Sequence, residues 1–348
     1  MTGIDSVVLK NVIVHKVGNP TRGEELVLSD NLLEIEDEID ERLLVKYFLN
    51  GFNENEYYHF THLDTLELNE VYAWVTRLFE EPADFIETSG HIASFLHNKS
   101  THVKVKEGEV YIALLENVPF EKEYINAIGI FKSETRETFL QLLAKDRDWK
   151  LTHQDGININ KADKGCLVYR TAKDEGYKVC VLDNTNKQQD TRYWVNDFLQ
   201  VEPLADSYNQ TDKYLSLCKN FITNEYASKF EVSKTDQADL LNRSIEYFKT
   251  KESFSLDEFT TEVIHHPEVV DTFMDYKKNF ESSRNFEIGD EFDIHLAAVK
   301  KQQRVFKSVL KLDKNFHIYI HGRRDLIEKG VDEMTGKKYY KIYFEEES

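Results

Sequence analysis

The order of apolar and polar positions divides this chain into stretches of period two and stretches of period three to four. Residues 4–16 alternate as Ile4, Ser6 and Val8 against Val7 and Leu9 and continue through Val12 and Val14, and 24–28 (EELVL) is short and β-prone. Together they predict an opening hairpin across the turn Gly18–Gly23. The period then lengthens. Leu33, Ile35, Ile39, Leu43, Leu44 and Phe48 predict a helix that ends at Asn50-Gly51. Leu68, Val71, Tyr72, Val75, Leu78 and Phe79 predict a second helix, and Pro82 opens a third carrying Phe85, Ile86, Ile92, Phe95 and Leu96. From residue 101 the period returns to two. Val103 and Val105 face Val110, Ile112 and Leu114 across Glu107-Gly108, a hairpin signal. Tyr124–Phe131 and Thr138–Leu143 read as further strands of the same antiparallel sheet.

Residues 165–170 (GCLVYR) and 177–182 (YKVCVL) flank Lys173–Gly176 and predict another hairpin, with Cys166 and Cys180 closely paired. Residues 191–199 read as a helix with Thr191 as its N-cap. Near Pro203 the character changes, and 207–281 is helical throughout. Leu215, Phe221 and Ile222 mark one helix, and Leu240, Leu241, Ile245 and Phe248 the next. Ser255–Glu258 has the spacing of a capping box, and Pro267 opens a helix with Val270, Phe273 and Phe280. Residues 294–304 read as helix, 306–312 and 315–321 as a hairpin, and 338–344 as a last strand. The fold class that follows is α+β. A 1–203 domain is built on an N-terminal antiparallel sheet with flanking helices, and a mainly helical 204–348 domain ends in a small β-hairpin region.

Length supports two domains, since single cores stop growing at roughly 250–300 residues. A chain of 348 residues with 41% hydrophobic content has no need of a metal or a disulfide to stay folded. Three cysteines, Cys166, Cys180 and Cys218, with no C-x-x-C, read as reduced thiols of a cytoplasmic protein. The N-terminus lacks a basic region and a small-residue cleavage site, and no stretch approaches the roughly 18 apolar residues of a membrane span.

Charge complicates a nucleic-acid role. The net charge is −19, so the average field repels phosphate. The distribution is bipolar, however. Residues 24–56 hold eleven Asp/Glu and two Lys/Arg, while 296–324 hold eight Lys/Arg and one Asp. Those eight, Lys300, Lys301, Arg304, Lys307, Lys311, Lys314, Arg323 and Arg324, are the candidate DNA-contacting residues. Lys300, Arg304, Lys307 and Lys311 form one stripe only if the helix runs past Arg304. Interleaved Phe306, Phe316 and Tyr319 offer either stacking surfaces or core. The competing reading of the basic stretch is a solvated face that pairs with the acidic N-terminal helix. The run Glu34–Glu41 reads as a solvated helix face, or as a docking surface for a basic partner.

Other chemistry is sparse. The chain has no G-x-x-x-x-G-K-[ST], no G-x-G-x-x-G and no G-x-S-x-G. His59-x-x-His62 with Asp64 is a weak metal pattern, His265-His266 diverge on a helix, and His317 and His321 lie over about 13 Å apart on a strand. No catalytic residue, metal or cofactor is expected. No helix-turn-helix is recognisable, so sequence-specific readout is not expected.

Three blocks carry a family resemblance: Val7–Ile35 with its ELVLSDNLLE, then Gly156–Asp163 (GININKAD) followed by Arg192–Leu199 (RYWVNDFL), and finally Lys311–Gly322 (KLDKNFHIYIHG). In that order the chain resembles the bacterial nucleoid-associated protein family typified by NdpA over nearly its whole length. The resemblance implies a non-enzymatic, nucleoid-localised protein that binds or organises DNA without strong sequence preference. Contact with DNA is then either direct or through a DNA-associated protein partner. The resemblance assigns no catalytic or binding residue.

Overall fold

The computed structural model describes residues 3–185, 193–284, 286–304, 306, 309–312, 314–319 and 326–346, with backbone only at 309–311. The chain divides into two compact units, Met1–Leu204 and Ala205–Ser348, and the class is α+β.

The first unit runs β1 (Val8–Val17), β2 (Leu26–Val27), α1 (Glu38–Leu49), β3 (Tyr58–Phe60), α2 (Glu70–Glu80), α3 (Phe85–Lys99), β4 (Gly108–Phe120), β5 (Glu123–Ser133), β6 (Glu137–Lys145), β7 (Asp148–Gly156), β8 (Lys164–Tyr169), β9 (Lys178–Asp183) and β10 (Val201–Pro203). Eight strands form one antiparallel sheet in the order β10-β3-β9-β8-β5-β4-β1-β2. Strand β4 shows why its sequence is apolar at almost every position. Val110, Ile112 and Leu114 pack with Val71 and Val75 of α2 and with Ile92 and Leu96 of α3, and Trp194 and Phe198 complete that cluster. Tyr111, Ala113 and Leu115 belong to the opposite face with Val45, Phe48 and Leu49 of α1. A strand buried on both faces cannot alternate. Phe48 of α1 stacks on Phe131 of β5 at 4.3 Å between centroids.

Several expectations need correction here. The first helix starts at Glu38, where Asp37 caps it by accepting from the Ile39 amide. Leu33 precedes the helix and bonds through its amide to the Val12 carbonyl of β1. Ile39 is 62% exposed, so the buried stripe is Val45, Tyr47, Phe48 and Leu49 instead. Residues 103–105 form no strand, and β4 pairs with β1 and β5. Strand β6 does not join the main sheet; it pairs with β7 in a separate two-stranded ribbon. Cys166 lies opposite Val181, and Leu167 opposite Cys180. That one-residue offset puts the two thiols on opposite faces of the sheet, in different cores. Gly176 ends the turn of this β8–β9 hairpin at φ +91°, where a Cβ would collide with the Phe60 carbonyl. Tyr193–Leu199 is a π-helix, and Thr191, expected to cap it, lies outside the described residues.

The second unit contains α4 (Ser207–Asn220), a π-helical continuation Phe221–Tyr226, α5 (Ala227–Lys229), α6 (Lys234–Thr250), β11 (Ser253–Ser255), α7 (Leu256–Phe259), a π-turn Thr260–Ile264, α8 (Pro267–Ser282), β12 (Glu291–Asp293) and α9 (Leu296–Gln303). β11 pairs with β12 across the intervening α7 and α8, and two small hairpins pair β13 (Val309–Leu312) with β14 (Phe316–Tyr319) and β15 (Ile327–Val331) with β16 (Lys338–Ile342). Its core is aromatic. Tyr214 of α4 is fully buried, with ring centroids 4.1 Å from Phe254, 5.5 Å from Phe259 and 5.8 Å from Phe248. Ser255 makes no side-chain cap, and Glu258, instead of reaching back to the Ser255 amide, accepts from Tyr247 Oη at 2.7 Å and from Lys251. The capping box instead opens α6, where Ser233 and Asp236 satisfy each other's backbone amides.

Candidate nucleic-acid interface

The basic residues of the second unit rest on short elements. The segment 296–344 carries twelve Lys/Arg against five Asp/Glu, while 205–295 carries ten against nineteen. Helix α9 ends at Gln303 with Arg304 as C-cap, Phe306 enters the core, and β13 begins at Val309. The helical stripe therefore does not reach Lys311, which lies on β13. Lys300, Lys301 and Arg304 are exposed near the end of α9, where cations suit the helix dipole. Gln302 fixes this helix by donating to Asp212 Oδ1 at 2.9 Å and Ser216 Oγ at 3.0 Å. Lys301 is 3.4 Å from the same Asp212 carboxylate and lies over the Tyr208 ring, so part of its charge is already answered.

Lys314 stands exposed in the β13–β14 turn. Lys307, Arg323 and Arg324 lie outside the described residues, as does the Lys311 side chain, although Lys311 pairs with His317 in the hairpin. Of the three aromatics, Phe306 is core, whereas Phe316 is 64% and Tyr319 58% exposed. Ile318 of the same strand packs with Ile327, Tyr340 and Ala238 and so seats both C-terminal hairpins on α6. Reading the sequence only as far as Arg324 missed further cations on β16 and its approach: Lys337, Lys338 and Lys341 are exposed beside exposed Tyr339, Tyr343 and Phe344. The signal is present in the sequence as KKYYK, three cations in five residues.

The first unit uses cations differently, in a cluster that sequence reasoning did not find. Lys132 of β5 and Lys164 of β8 are directly opposite in register, and both are 0% exposed. Lys132 Nζ lies 3.1 Å from Glu134 Oε1 and donates to the Lys106 carbonyl at 2.7 Å. Lys164 Nζ donates to Asp183 Oδ1 at 2.7 Å and to Thr185. Both ammoniums approach the Tyr193 ring, whose hydroxyl donates to Glu134 at 3.2 Å. Burial lowers the Lys132 pKa, and the Glu134 carboxylate opposes that shift. Nearby, Asp163 accepts from the amides of Glu134 and Thr135 at 2.7 and 2.8 Å, so the end of the GININKAD block anchors the exit of β5. Every ammonium here has its carboxylate and hydroxyl partners, which is the arrangement of a structural ion cluster.

His15 is a further buried group. Its Nδ1 accepts from the Ser29 amide at 3.1 Å, which leaves the proton on Nε2 to donate to Ser89 Oγ at 3.0 Å. Burial lowers its pKa from 6.5 to about 4. Among the weak metal candidates, His59 Nδ1 meets the Glu175 carbonyl at 3.1 Å, His62 Nδ1 accepts from the Asp64 amide at 3.2 Å, and His321 lies outside the described residues. Among the described residues no group of three or more His, Cys, Asp and Glu is placed to hold a metal ion. Among those residues, too, no helix is long and apolar enough to cross a membrane. The acidic run Glu34–Asp40 is exposed apart from half-buried Ile35.

No curated protein matches the chain. The family described as nucleoid-associated protein YejK matches residues 13–335, which include most of the sheet of the first unit, the aromatic core of the second and the basic segment as far as Thr335, short of Lys337, Lys338 and Lys341. The chain belongs to the nucleoid-associated protein YejK family.

Proposed function

We propose that this protein is a non-catalytic component of the cytoplasmic nucleoid that binds DNA directly, weakly and without strong sequence preference through its C-terminal basic segment. One observation carries the reading. The basic C-terminal stretch of an acidic chain, 296–344, with twelve Lys/Arg against five Asp/Glu, holds Lys300, Arg304, Lys314, Lys337, Lys338 and Lys341 exposed, with exposed aromatic rings on its strands. Ammonium and guanidinium groups on short elements meet phosphates, and exposed rings meet unstacked bases. Base-edge readout needs Arg, Asn or Gln held rigidly in the major groove. Helix α9 has eight residues, and its Gln302 is already bonded to Asp212, so it supports no such readout. Domains 1–203 and 204–348 then divide the work, the first as scaffold and the second as the DNA-contacting part.

The experiment is an anisotropy titration of the full chain with several random-sequence duplexes across a salt series. About five phosphate contacts would cost roughly 500-fold in affinity between 50 and 200 mM salt. Equal affinities for all duplexes and that steep fall are expected. Absence of binding at low salt, or binding indifferent to salt, would overturn the reading.

The exposed carboxylates of Glu34–Asp40 favour a second reading, a protein-interaction module recruited to the nucleoid through a DNA-handling partner. A pull-down from nuclease-treated lysate tests it, and loss of every partner after that treatment counts against it.

A further inference from the structure

The β6–β7 ribbon is anomalous in its exposure. Its register places Leu142 opposite Leu151, Ala144 opposite Trp149 and Leu140 opposite His153, so these side chains share one face. That face is open to solvent: Leu140 is 74%, Leu142 63%, Trp149 69% and Leu151 60% exposed. Polar residues on it collect at the base, as Thr138, His153 and Asp155. The other face is mixed, with Phe139 and Leu143 beside Gln141, Lys150, Thr152 and Gln154. A lone two-stranded hairpin is marginal in water at best, and a contiguous apolar face of this kind marks an interaction surface.

We propose that this face is a dimerisation surface whose occupant is the same face of a second copy of the chain, packed about a two-fold axis with the ribbons antiparallel. Three features select that occupant. First, a face that is apolar along its middle is self-complementary, as a two-fold interface requires. Second, residues 137–156 hold four Asp/Glu and three Lys/Arg, nearly neutral in a chain of net −19, so like-charge repulsion between copies is least here. Third, the area is sufficient. With roughly 120 Å² for a leucine and 200 Å² for a tryptophan, the four side chains offer about 370 Å² per copy. At the roughly 65% apolar share of homodimer interfaces, the pair buries about 1,150 Å² in total, above the roughly 1,000 Å² that a specific interface needs and just under the standard size range. Such a dimer forms at micromolar rather than nanomolar concentration. Near-neutral charge also argues against nucleic acid as the occupant, since phosphate contact requires surplus cations.

Sedimentation velocity of the full chain from about 1 to 100 µM, without DNA, tests the proposal independently of the DNA-binding reading. The expected result is a shift from monomer to twice the monomer mass, with a blue shift of tryptophan emission as Trp149 leaves water. Leu142→Lys with Leu151→Lys is expected to abolish the shift at unchanged circular dichroism, and Leu143→Lys on the mixed face to leave it intact. A monomer at every concentration would overturn the proposal. So would a dimer that survives the double variant, or one lost equally in Leu143→Lys. Quenching of Trp149 by random duplex in a monomeric protein would overturn it in favour of a DNA arm.

Discussion

Lysine plays opposite parts in two regions of this molecule. Between β5 and β8 of the first unit, Lys132 and Lys164 are wholly buried, and each is bonded to its own carboxylate. In the C-terminal segment, Lys300, Lys314, Lys337, Lys338 and Lys341 are exposed. A buried ammonium spends its charge on the groups that surround it and keeps none for a ligand. An exposed one contributes little to stability and remains available to an anion. Net charge, which averages over both, therefore says little about whether this chain touches DNA. What matters is where the cations are and whether they are already answered.

The contrast can be broken by substitution, and the largest effect is expected inside the sheet. Lys164→Met leaves the Asp183 carboxylate without its ammonium in a largely buried site. Breaking such a pair costs about 3–5 kcal/mol. Urea unfolding should show that loss. DNA affinity measured where the variant is folded should be unchanged.

Next comes pH. The folded protein keeps His15 neutral down to about 4, whereas an unfolded chain protonates it near 6.5. The unfolded state thus binds more protons between those values. The stability from neutral His15 is complete above pH 6.5 and lost as pH falls toward 4, at most about 3 kcal/mol. His15→Gln should flatten the slope of unfolding free energy over the upper part of that window. An unchanged slope would show that His15 is not the group responsible.

A smaller effect of opposite sign is expected in the second unit. Tyr214 Oη is buried with no hydrogen-bond partner among the described residues. Tyr214→Phe removes an unsatisfied hydroxyl and should stabilise the protein by about 1 kcal/mol in thermal unfolding. The smallest stability effect belongs to the exposed cations. Lys337→Gln with Lys338→Gln should change unfolding free energy by no more than about 0.5 kcal/mol, yet reduce the salt slope of DNA binding by about two.

Much of this architecture was legible because local signals agreed with burial. The period of three to four in Val71, Tyr72, Val75, Leu78 and Phe79 is the buried face of α2. Pro267 opens α8 as its fixed φ favours. The failures share a cause, which is that a side chain's partner lies far away in sequence. Thr138–Leu143 has the composition of a sheet strand, and nothing local says that its neighbour is β7 alone. Cys166 and Cys180 were displaced by a single residue of register set by the turn. Ser255 and Glu258 have the spacing of a capping box, but Tyr247 and Lys251 compete for the carboxylate.

The candidate site was legible in part. Charge counting found Lys300, Lys301, Arg304 and Lys314. It could not tell that Lys301 shares Asp212, that Phe306 is core while Phe316 and Tyr319 are open, or that Lys132 and Lys164 are sealed in the sheet.

The most direct test of the division between buried and exposed cations is the salt dependence of DNA binding by the Lys300→Glu, Lys301→Glu, Arg304→Glu variant beside the unaltered protein. The account predicts a thermal stability lowered only modestly, since Lys301→Glu sets a carboxylate against Asp212, weaker binding to duplex and single-stranded DNA alike, and a salt slope shallower by about two to three. Equal affinity and equal slope for the two proteins would contradict it, and would move the search for the nucleoid contact to a protein partner of the acidic surface.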